Sequence, residues 1–272
     1  MSTAQIAAPV GVGSLTTRMR FAARDGISMT LRNLLTIRRL PQLLVFATIQ
    51  PLLFVLMFRY VFGGAIIVPG VDYVNYLMPG IFAQTVAFGA IQTGVGLAED
   101  NRQGFIERLR SLPMARSAVL AGRTTADLVR NVFVVLLLTA VGFAVGFRVE
   151  TNAAKFILGL LILLAFGFSL SWMFALIGLS VGSAESAQAA SFPILLPLVF
   201  ASSAFVPTDS MPNWLQAFAD HQPVTAVVNA VRSLVLGGAW VSDVLISLAW
   251  TAGLLAVFVP LAVRAYQRSG TG

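Results

Sequence analysis

Apolar residues along this chain fall into six long stretches separated by shorter polar segments. Each stretch is close to the ~20 residues that an α-helix needs to cross ~30 Å of hydrocarbon. We therefore predict an all-α integral membrane protein with six transmembrane helices. The fifth stretch contains Pro193 and Pro197, which predict a kinked or short helix. The predicted spans are 42–62, 76–98, 126–147, 156–180, 187–206 and 243–264.

The two ends of the chain are less apolar than the spans. Residues 1–17 are small and polar, which predicts a disordered cytoplasmic tail, and residues 267–272 form a second cytoplasmic tail. Residues 18–41 carry apolar side chains at helical spacing among arginines. This pattern favours an amphipathic helix lying in the membrane interface, and an ordinary basic flank fits it equally well.

Two polar segments between spans have their own helical patterns. Between spans 5 and 6, Pro212 and Pro223 predict two short helices at the outer leaflet. Between spans 2 and 3 lies a densely charged segment, residues 99–116, EDNRQGFIERLRSLPMAR. Pro113 would end a helix within it. Phe105 and Leu109 would share one face of a short helix there. Such a helix is suited to docking into a groove of another protein, whereas the simpler interpretation is a solvated loop.

Basic residues are distributed unevenly between the two sides of the predicted membrane. With the N-terminus in the cytoplasm, fourteen of the eighteen Lys and Arg residues lie on that side. Because Lys and Arg are retained on the cytoplasmic side, we predict a multi-pass protein of the plasma membrane with both termini cytoplasmic. The net charge of +7 then indicates orientation and attraction to anionic membrane lipids rather than binding of nucleic acid.

Composition narrows the possible functions. Hydrophobic residues make up 57% of the chain and charged residues 11%, against about 25% charged in soluble domains. The chain has no Cys, which excludes disulfides and thiolate metal sites, and its one His excludes a histidine cluster. Its only lysine, Lys155, precedes Phe156 rather than Ser or Thr, so there is no Walker A loop. We predict no catalytic residue, no metal site and no ATP site in this chain.

One motif imitates a catalytic site. Gly178-Leu-Ser-Val-Gly182 matches the G-x-S-x-G nucleophile elbow, but an elbow requires a preceding strand and the segment lies in a predicted span. Glycines four residues apart also allow close helix packing. We interpret this pair, and likewise Gly142 with Gly146, as packing positions.

Carboxylates are missing from the interiors of the predicted spans. Asp127 and Glu185 sit near predicted cytoplasmic ends. The few polar side chains in the spans either form hydrogen bonds between helices or line a substrate path. They are Gln50, Gln84, Gln92, Thr93, Ser169 and Ser171.

Three stretches carry a family resemblance. They are LRNLLTIRRLPQLLVFATIQPLLFVLMFRYVFGG, EDNRQGFIERLRSLPMAR, and PILLPLVFASSAFVPTDSMPNWLQAFADHQPVTAVVNAVRSLVLGG. Through them the chain resembles the permease subunit of type-2 ATP-binding-cassette (ABC) exporters, especially daunorubicin-resistance-like drug and lipid exporters of actinobacteria. The chain differs from the common pattern at Gln222, where many relatives have Asn, and at Asn229, which is often acidic.

The resemblance implies partners, cargo and sites. Two permease subunits, identical or paralogous, would pair with two nucleotide-binding ATPase subunits that use ATP and Mg²⁺, and would export an amphipathic drug or lipid. The coupling helix would contribute Glu99, Asp100, Gly104, Phe105, Glu107, Arg108, Arg110 and Pro113. The substrate path would contain Gln84, Phe88, Gln92, Phe192, Phe200 and Phe205. The outer gate would contain Pro207, Pro212, Trp214, Gln222, Pro223 and Arg232.

An ion-coupled secondary transporter of hydrophobic compounds is the alternative. Such a protein would need inverted repeats and buried ionisable residues near the middle of the bilayer. The sequence shows neither feature convincingly, and the exporter hypothesis is favoured.

Overall fold

The computed structural model of the chain describes residues 41–64, 66, 68, 70–104 and 116–268. The predicted tail 1–17, the predicted interfacial helix except Pro41, and residues 269–272 lie outside this part. Every regular element within it is helical, which confirms the all-α prediction. The α-helices of the described residues are α1 (Pro41–Met57), α2 (Tyr73–Arg102), α3 (Arg116–Ala144), α4 (Ala153–Ser180), α5 (Ala184–Phe200), α6 (Asn213–Asp220), α7 (Pro223–Leu236) and α8 (Trp240–Arg268).

Among the described helices, four are long and apolar enough to cross a membrane. They are α2, the part of α3 from Leu120 to Ala144, α4 and α8, and they coincide with the second, third, fourth and sixth predicted spans. The other apolar helices are shorter: Thr48–Phe62, in which a π-helical turn (Phe58–Phe62) extends α1, together with α5 and α7. α5 has 17 residues and contains both Pro193 and Pro197, in agreement with the short helix that these prolines predict.

The two short helices predicted between spans 5 and 6 are α6 and α7. α6 begins directly after Pro212, and α7 begins at Pro223, a residue that needs no backbone N–H in the first turn. Gln222 caps α7 by accepting a hydrogen bond at Oε1 from the Val224 N–H at 3.1 Å. Gly237 follows α7 with φ +96°, a backbone angle that glycine adopts without strain.

α2 lies at the centre of the molecule and α8 at its periphery. In the most apolar window of α2, 72% of the residues are buried, whereas the corresponding value for α8 is 17%. A helix that is apolar on all sides and buried belongs to a protein core, whereas an exposed apolar helix faces lipid. The sites described below are therefore arranged around α2.

α2 and α4 cross so closely that their backbones touch. A Cβ atom on Gly178 would overlap the carbonyl oxygen of Gly94, and a Cβ atom on Gly94 would overlap the carbonyl oxygen of Phe174. Only glycine at both positions allows this approach, as in other helix pairs packed through small residues. α4 is thereby fixed against the middle and the Arg102 end of α2.

In each of the two predicted glycine pairs, one glycine lies in a helix contact and the other does not. Gly178 and Gly142 both lie in helix contacts, the latter against the Met78 side chain. Gly182, however, has no neighbour within 4 Å of a built Cβ, and Gly146 lies in the turn after α3 with φ +106°. The partner of each packing glycine is on another helix, so spacing along one helix could not identify it.

Candidate functional site

Two polar clusters lie towards opposite ends of α2. The first, which we call the α2–α7 clasp, joins the beginning of α2 to α7 and to the segment after α5. The second, which we call the α2–α3 ladder, joins the second half of α2 to α3. The clasp comprises Tyr76, Gly80, Ser203, Gln222, Thr225, Asn229 and Arg232. The ladder comprises Gly89, Thr93, Asp100, Arg123, Asp127 and Arg130.

Arg232 is the centre of the clasp. Its Nη2 donates to the carbonyl oxygens of Ser203 at 2.7 Å and Tyr76 at 3.2 Å, and its Nη1 donates to Asn229 Oδ1 at 3.0 Å. The guanidinium also lies 3.6 Å from the centroid of the Tyr76 ring. These partners are neutral oxygens and an aromatic face, which suits the fixed fan of donors of an arginine better than a lysine. One side chain thus links three separate segments.

Gln222 holds the ends of two helices together. Its Nε2 donates to the carbonyl oxygens of Leu198 at 2.8 Å and Ala201 at 3.1 Å, at the end of α5, while its Oε1 caps α7. Helix ends carry backbone groups without partners inside the helix, and a buried amide can satisfy both kinds at once. The predicted gate residue Gln222 therefore connects the end of α5 to the beginning of α7.

The segment after α5 lies flat against α2. The Tyr76 hydroxyl donates to the carbonyl oxygen of Ser203 at 3.1 Å, and the Ser203 N–H donates to Thr225 Oγ1 at 3.2 Å. A Cβ atom on Gly80 would overlap the carbonyl oxygen of Ala204, so glycine is required for this contact. The irregular backbone is covered by protein, which is the condition for such backbone in a membrane protein.

The remaining predicted gate residues do not belong to the clasp. Pro223 is buried and begins α7, but Pro212 is exposed and Trp214 is 75% exposed on α6. Pro207 precedes a short 3₁₀ turn, Thr208–Ser210. The sequence pattern therefore groups residues that the fold separates into a buried clasp and an exposed helix.

The predicted path residues on α2 and α5 meet in one place. The rings of Phe88 and Phe192 are in edge contact, with centroids 6.0 Å apart. The two glutamines differ: Gln92 is exposed one turn beyond Phe88, whereas Gln84 is 4% exposed and its Oε1 has no hydrogen-bond partner among the described residues. Of these four predicted path residues, Phe88, Gln92 and Phe192 therefore lie at or near an accessible surface, and Gln84 does not.

The other two predicted path residues belong to an aromatic cluster at the end of α1. The Phe205 ring stacks on Phe58 with centroids 4.7 Å apart and on Phe200 with centroids 5.4 Å apart. Phe200 is 46% exposed, whereas Phe205 is buried. Of the two, Phe200 is therefore the one whose ring is accessible from outside the cluster.

The α2–α3 ladder is a chain of alternating charges between two helices. Asp127 is 6% exposed, accepts a hydrogen bond from Thr93 Oγ1 at 2.5 Å, and lies 3.2 Å from Arg130 Nη1. Arg123 connects Asp127, at 4.0 Å, to Asp100, at 2.9 Å. Charges in such surroundings are stable only when paired, and each of these four has an opposite partner.

Two glycines on α2 contact the two arginines on α3. Arg130 Nη2 donates to the carbonyl oxygen of Gly89 at 2.6 Å, and a Cβ on Gly96 would overlap the guanidinium of Arg123. Gly89 and Gly96 are seven residues apart on α2, and Arg123 and Arg130 are seven residues apart on α3. Because the spacings are equal, the two antiparallel helices can make both glycine–arginine contacts. Sequence reasoning missed this site, although Arg123, Asp127 and Arg130 share one helical face at i, i+4 and i+7.

Of the predicted coupling residues, the structure describes the first three, Glu99, Asp100 and Gly104. Glu99 accepts hydrogen bonds from Arg102 at 2.9 Å and Gln103 at 2.7 Å on the surface, where such contacts contribute little stability. Asp100 belongs to the ladder, and Gly104 follows α2 with φ +66°. Phe105, Glu107, Arg108, Arg110 and Pro113 lie outside the described residues.

Comparison with known proteins connects this arrangement to one family. The family model described as ABC-2 type transporter matches residues 26–236. A daunorubicin resistance ABC transporter permease protein of Streptomyces coeruleorubidus is 35% identical over 252 residues, which cover 91% of this chain and 89% of the relative. The resemblance drawn from the three stretches is confirmed.

More distant relatives match over a similar length. A probable doxorubicin resistance ABC transporter permease protein of Mycobacterium tuberculosis is 27% identical over 83% of this chain and 82% of its own. A putative transport permease of Cyanophora paradoxa is 28% identical over 77% of this chain and 73% of its own. The segment that matches the family model contains both the clasp and the ladder in full.

Proposed function

This chain belongs to the ABC-2 type transporter family, and on that premise we propose that it is a six-span exporter permease which, with a second copy or paralogue, forms an outward path for amphipathic drugs or lipids. The observation that carries the proposal is the contact between Phe88 on α2 and Phe192 on α5. It joins residues 104 positions apart in sequence into one apolar surface beside the exposed Gln92. Such a surface, mostly aromatic with a few polar groups, is typical of sites for amphipathic molecules.

Six spans require α1 and α5 to cross the membrane beside the four longer helices. The helix from Pro41 to Phe62 is long enough at ~1.5 Å per residue to cross ~30 Å of hydrocarbon. α5 is shorter, and the segment that follows it, packed in the clasp, completes the crossing. The uneven distribution of Lys and Arg favours the plasma membrane with both termini and the segment 99–116 in the cytoplasm, and the clasp on the outer side.

ATP hydrolysis in this transporter belongs to partner subunits. The chain lacks a Walker A loop, and the permeases to which it is similar belong to ABC transporters, so two ATPase subunits would bind ATP and Mg²⁺. The charged segment from Glu99 to Arg116 is the proposed docking helix. Its charged rim and apolar face suit a groove in the ATPase, and Phe105 would be its apolar anchor.

Reversing charge in this segment tests the docking role. We expect Arg108→Glu combined with Arg110→Glu to reduce co-purification of the ATPase subunit by at least about 10-fold, because paired charges at an interface lose their partners. Arg264→Glu, an exposed arginine near the end of α8, is the control and should leave the complex intact. Unchanged complex formation in the double variant would refute docking through this segment.

The aromatic contact provides a test of the path. We expect Phe192→Ala to raise the KM for doxorubicin in ATP-driven uptake by inverted vesicles about 2–10-fold, the range expected from losing one aromatic contact. The ATPase rate without drug should stay unchanged. Phe133→Ala is the matched control, since Phe133 is half exposed on α3 away from this surface. Equal KM values for the two variants would remove Phe192 from the path.

One feature of the structure agrees with the alternative, an ion-coupled transporter. Asp127 is a buried carboxylate, the kind of group that such proteins use. It is paired with Arg130 and lies near Arg123, so its charge is already balanced inside the protein. Uptake of doxorubicin that persists without ATP but collapses with an ionophore would favour this alternative, whereas dependence on ATP alone supports the exporter.

A further inference from the structure

We propose that the α2–α3 ladder is the rigid link by which movement of the cytoplasmic segment reaches the middle of α2, with Arg123, Asp127 and Arg130 acting as positioning residues for transport. This inference rests on the proposed exporter function and names the side chains that would connect ATP hydrolysis to the path. It assigns a role to three residues that are among neither the proposed path residues nor the proposed docking residues.

The ladder connects the two places that must communicate. Its first member, Asp100, lies in the segment 99–116, and its last, Arg130, is bound to the carbonyl oxygen of Gly89. Gly89 is adjacent to Phe88, whose ring contacts Phe192 on α5. From Asp100 to Gly89 the ladder covers about 16 Å along α2 at ~1.5 Å per residue, roughly half of the hydrocarbon thickness.

The alternation of charge makes the ladder resist separation as a unit. Each carboxylate is paired with an arginine. Arg123 fills the space that Gly96 leaves open, and Arg130 binds the carbonyl oxygen of Gly89. Breaking the Asp127–Arg130 pair, whose side chains are 8% and 12% exposed, would leave an unpaired charge in low-dielectric surroundings, where charges interact far more strongly than in water. α3 and the second half of α2 therefore move together when the cytoplasmic segment moves.

Adhesion between the two helices does not by itself require these charges. Apolar side chains of similar volume hold helices together at least as well as a buried ion pair. What the charges add is a defined relative position of α2 and α3, because each guanidinium binds one group on α2 and Asp127 on α3. We infer that this positioning, rather than stability, is the contribution of the ladder.

The test measures movement rather than transport, so it does not depend on the cargo. The chain contains no Cys, which makes introduced cysteines the only thiols in this subunit. Spin labels at Gln92→Cys and Gln188→Cys lie at exposed positions one turn from Phe88 and Phe192, on α2 and α5. The distance between labels would be recorded in the labelled permease–ATPase complex, without nucleotide and with ADP and vanadate.

We expect the distance to change on trapping, and Asp127→Asn to reduce that change by about half or more while the ATPase still binds. Gly96→Ala is the second variant: its Cβ displaces the Arg123 guanidinium but keeps every charge, and the same reduction is expected. If Asp127→Asn does not fold, Gly96→Ala alone tests whether the ladder is the link. Gly253→Ala, in open space on α8, is the matched control and should behave as the parent.

The outcomes separate this inference from the proposed function. A full distance change in a folded Asp127→Asn or Gly96→Ala complex would overturn the ladder as the link and leave the exporter proposal standing. A parent complex that shows no change with ADP and vanadate, or that binds no ATPase, would instead overturn the proposed coupling itself and the inference with it.

Discussion

Replacing Arg232 with methionine should destabilise the protein by roughly 2–4 kcal/mol, because acceptors in the clasp lose their donor and the shorter side chain leaves space. Arg232 donates to Tyr76 and Ser203 on two separate segments and also lies over the Tyr76 ring. No single replacement can reproduce those contacts. The midpoint of thermal unfolding in detergent measures the loss.

Two further variants show whether the geometry of the guanidinium matters. Arg232→Lys keeps the charge but offers one compact ammonium group in place of three separated nitrogens, so we expect most of the loss to remain. Arg264→Met removes an exposed guanidinium and should leave the midpoint nearly unchanged. If Arg232→Met and Arg264→Met unfold at the same temperature, Arg232 does not hold the clasp together.

The clasp can also be strengthened. Asn229 Oδ1 accepts hydrogen bonds from Arg232 and from Ser203, and a carboxylate could accept both. Asn229→Asp would place a negative charge against the buried guanidinium. We therefore expect a higher unfolding midpoint and, if the clasp must open during export, a slower turnover. A lower midpoint would show that the neutral amide is required for another reason.

Gly178→Ala should cost about 3 kcal/mol, near the upper end of overpacking effects. The added methyl group would overlap the carbonyl oxygen of Gly94, which is backbone and cannot rotate away. α4 must therefore move away from α2 along the whole contact. The thermal midpoint and the yield of folded protein in detergent would both fall.

Gly253→Ala is the control for this substitution. It makes the same chemical change inside a helix, at a position where a Cβ meets nothing within 4 Å. Alanine is the better helix former by about 1 kcal/mol, so this variant should be neutral or slightly more stable. Equal midpoints for the two variants would mean that α2 and α4 do not touch through Gly94 and Gly178.

Local signals in the sequence predict much of the fold. The apolar runs identify the long helices, and Pro212 and Pro223 mark the beginnings of α6 and α7, because these signals depend only on neighbouring residues. The charged segment after α2 stands out for the same reason. Its role stays a prediction, since most of its residues lie outside the described part of the chain.

Contacts between helices could not be predicted from residues that are neighbours in the sequence. The acceptors of Arg232 include backbone carbonyls, which have no signature in sequence, and Gly178 meets Gly94 only because of the angle at which α4 crosses α2. Hydropathy placed Asp127 at the end of a span, and nothing nearby in sequence indicated Thr93 as its partner. Of the polar side chains expected to join helices, Ser169 and Ser171 instead bond within α4.

The spacing of glycines and arginines in the ladder limits how α2 and α3 can slide past each other. A slide by one helical turn, about 5.4 Å, would carry both guanidiniums from their glycines onto side chains. Even a slide of seven residues, about 10 Å, would bring only one arginine back to a glycine, either Arg123 to Gly89 or, in the opposite direction, Arg130 to Gly96. The pair therefore resists a shift in register, and α2 and α3 would move as one body during transport.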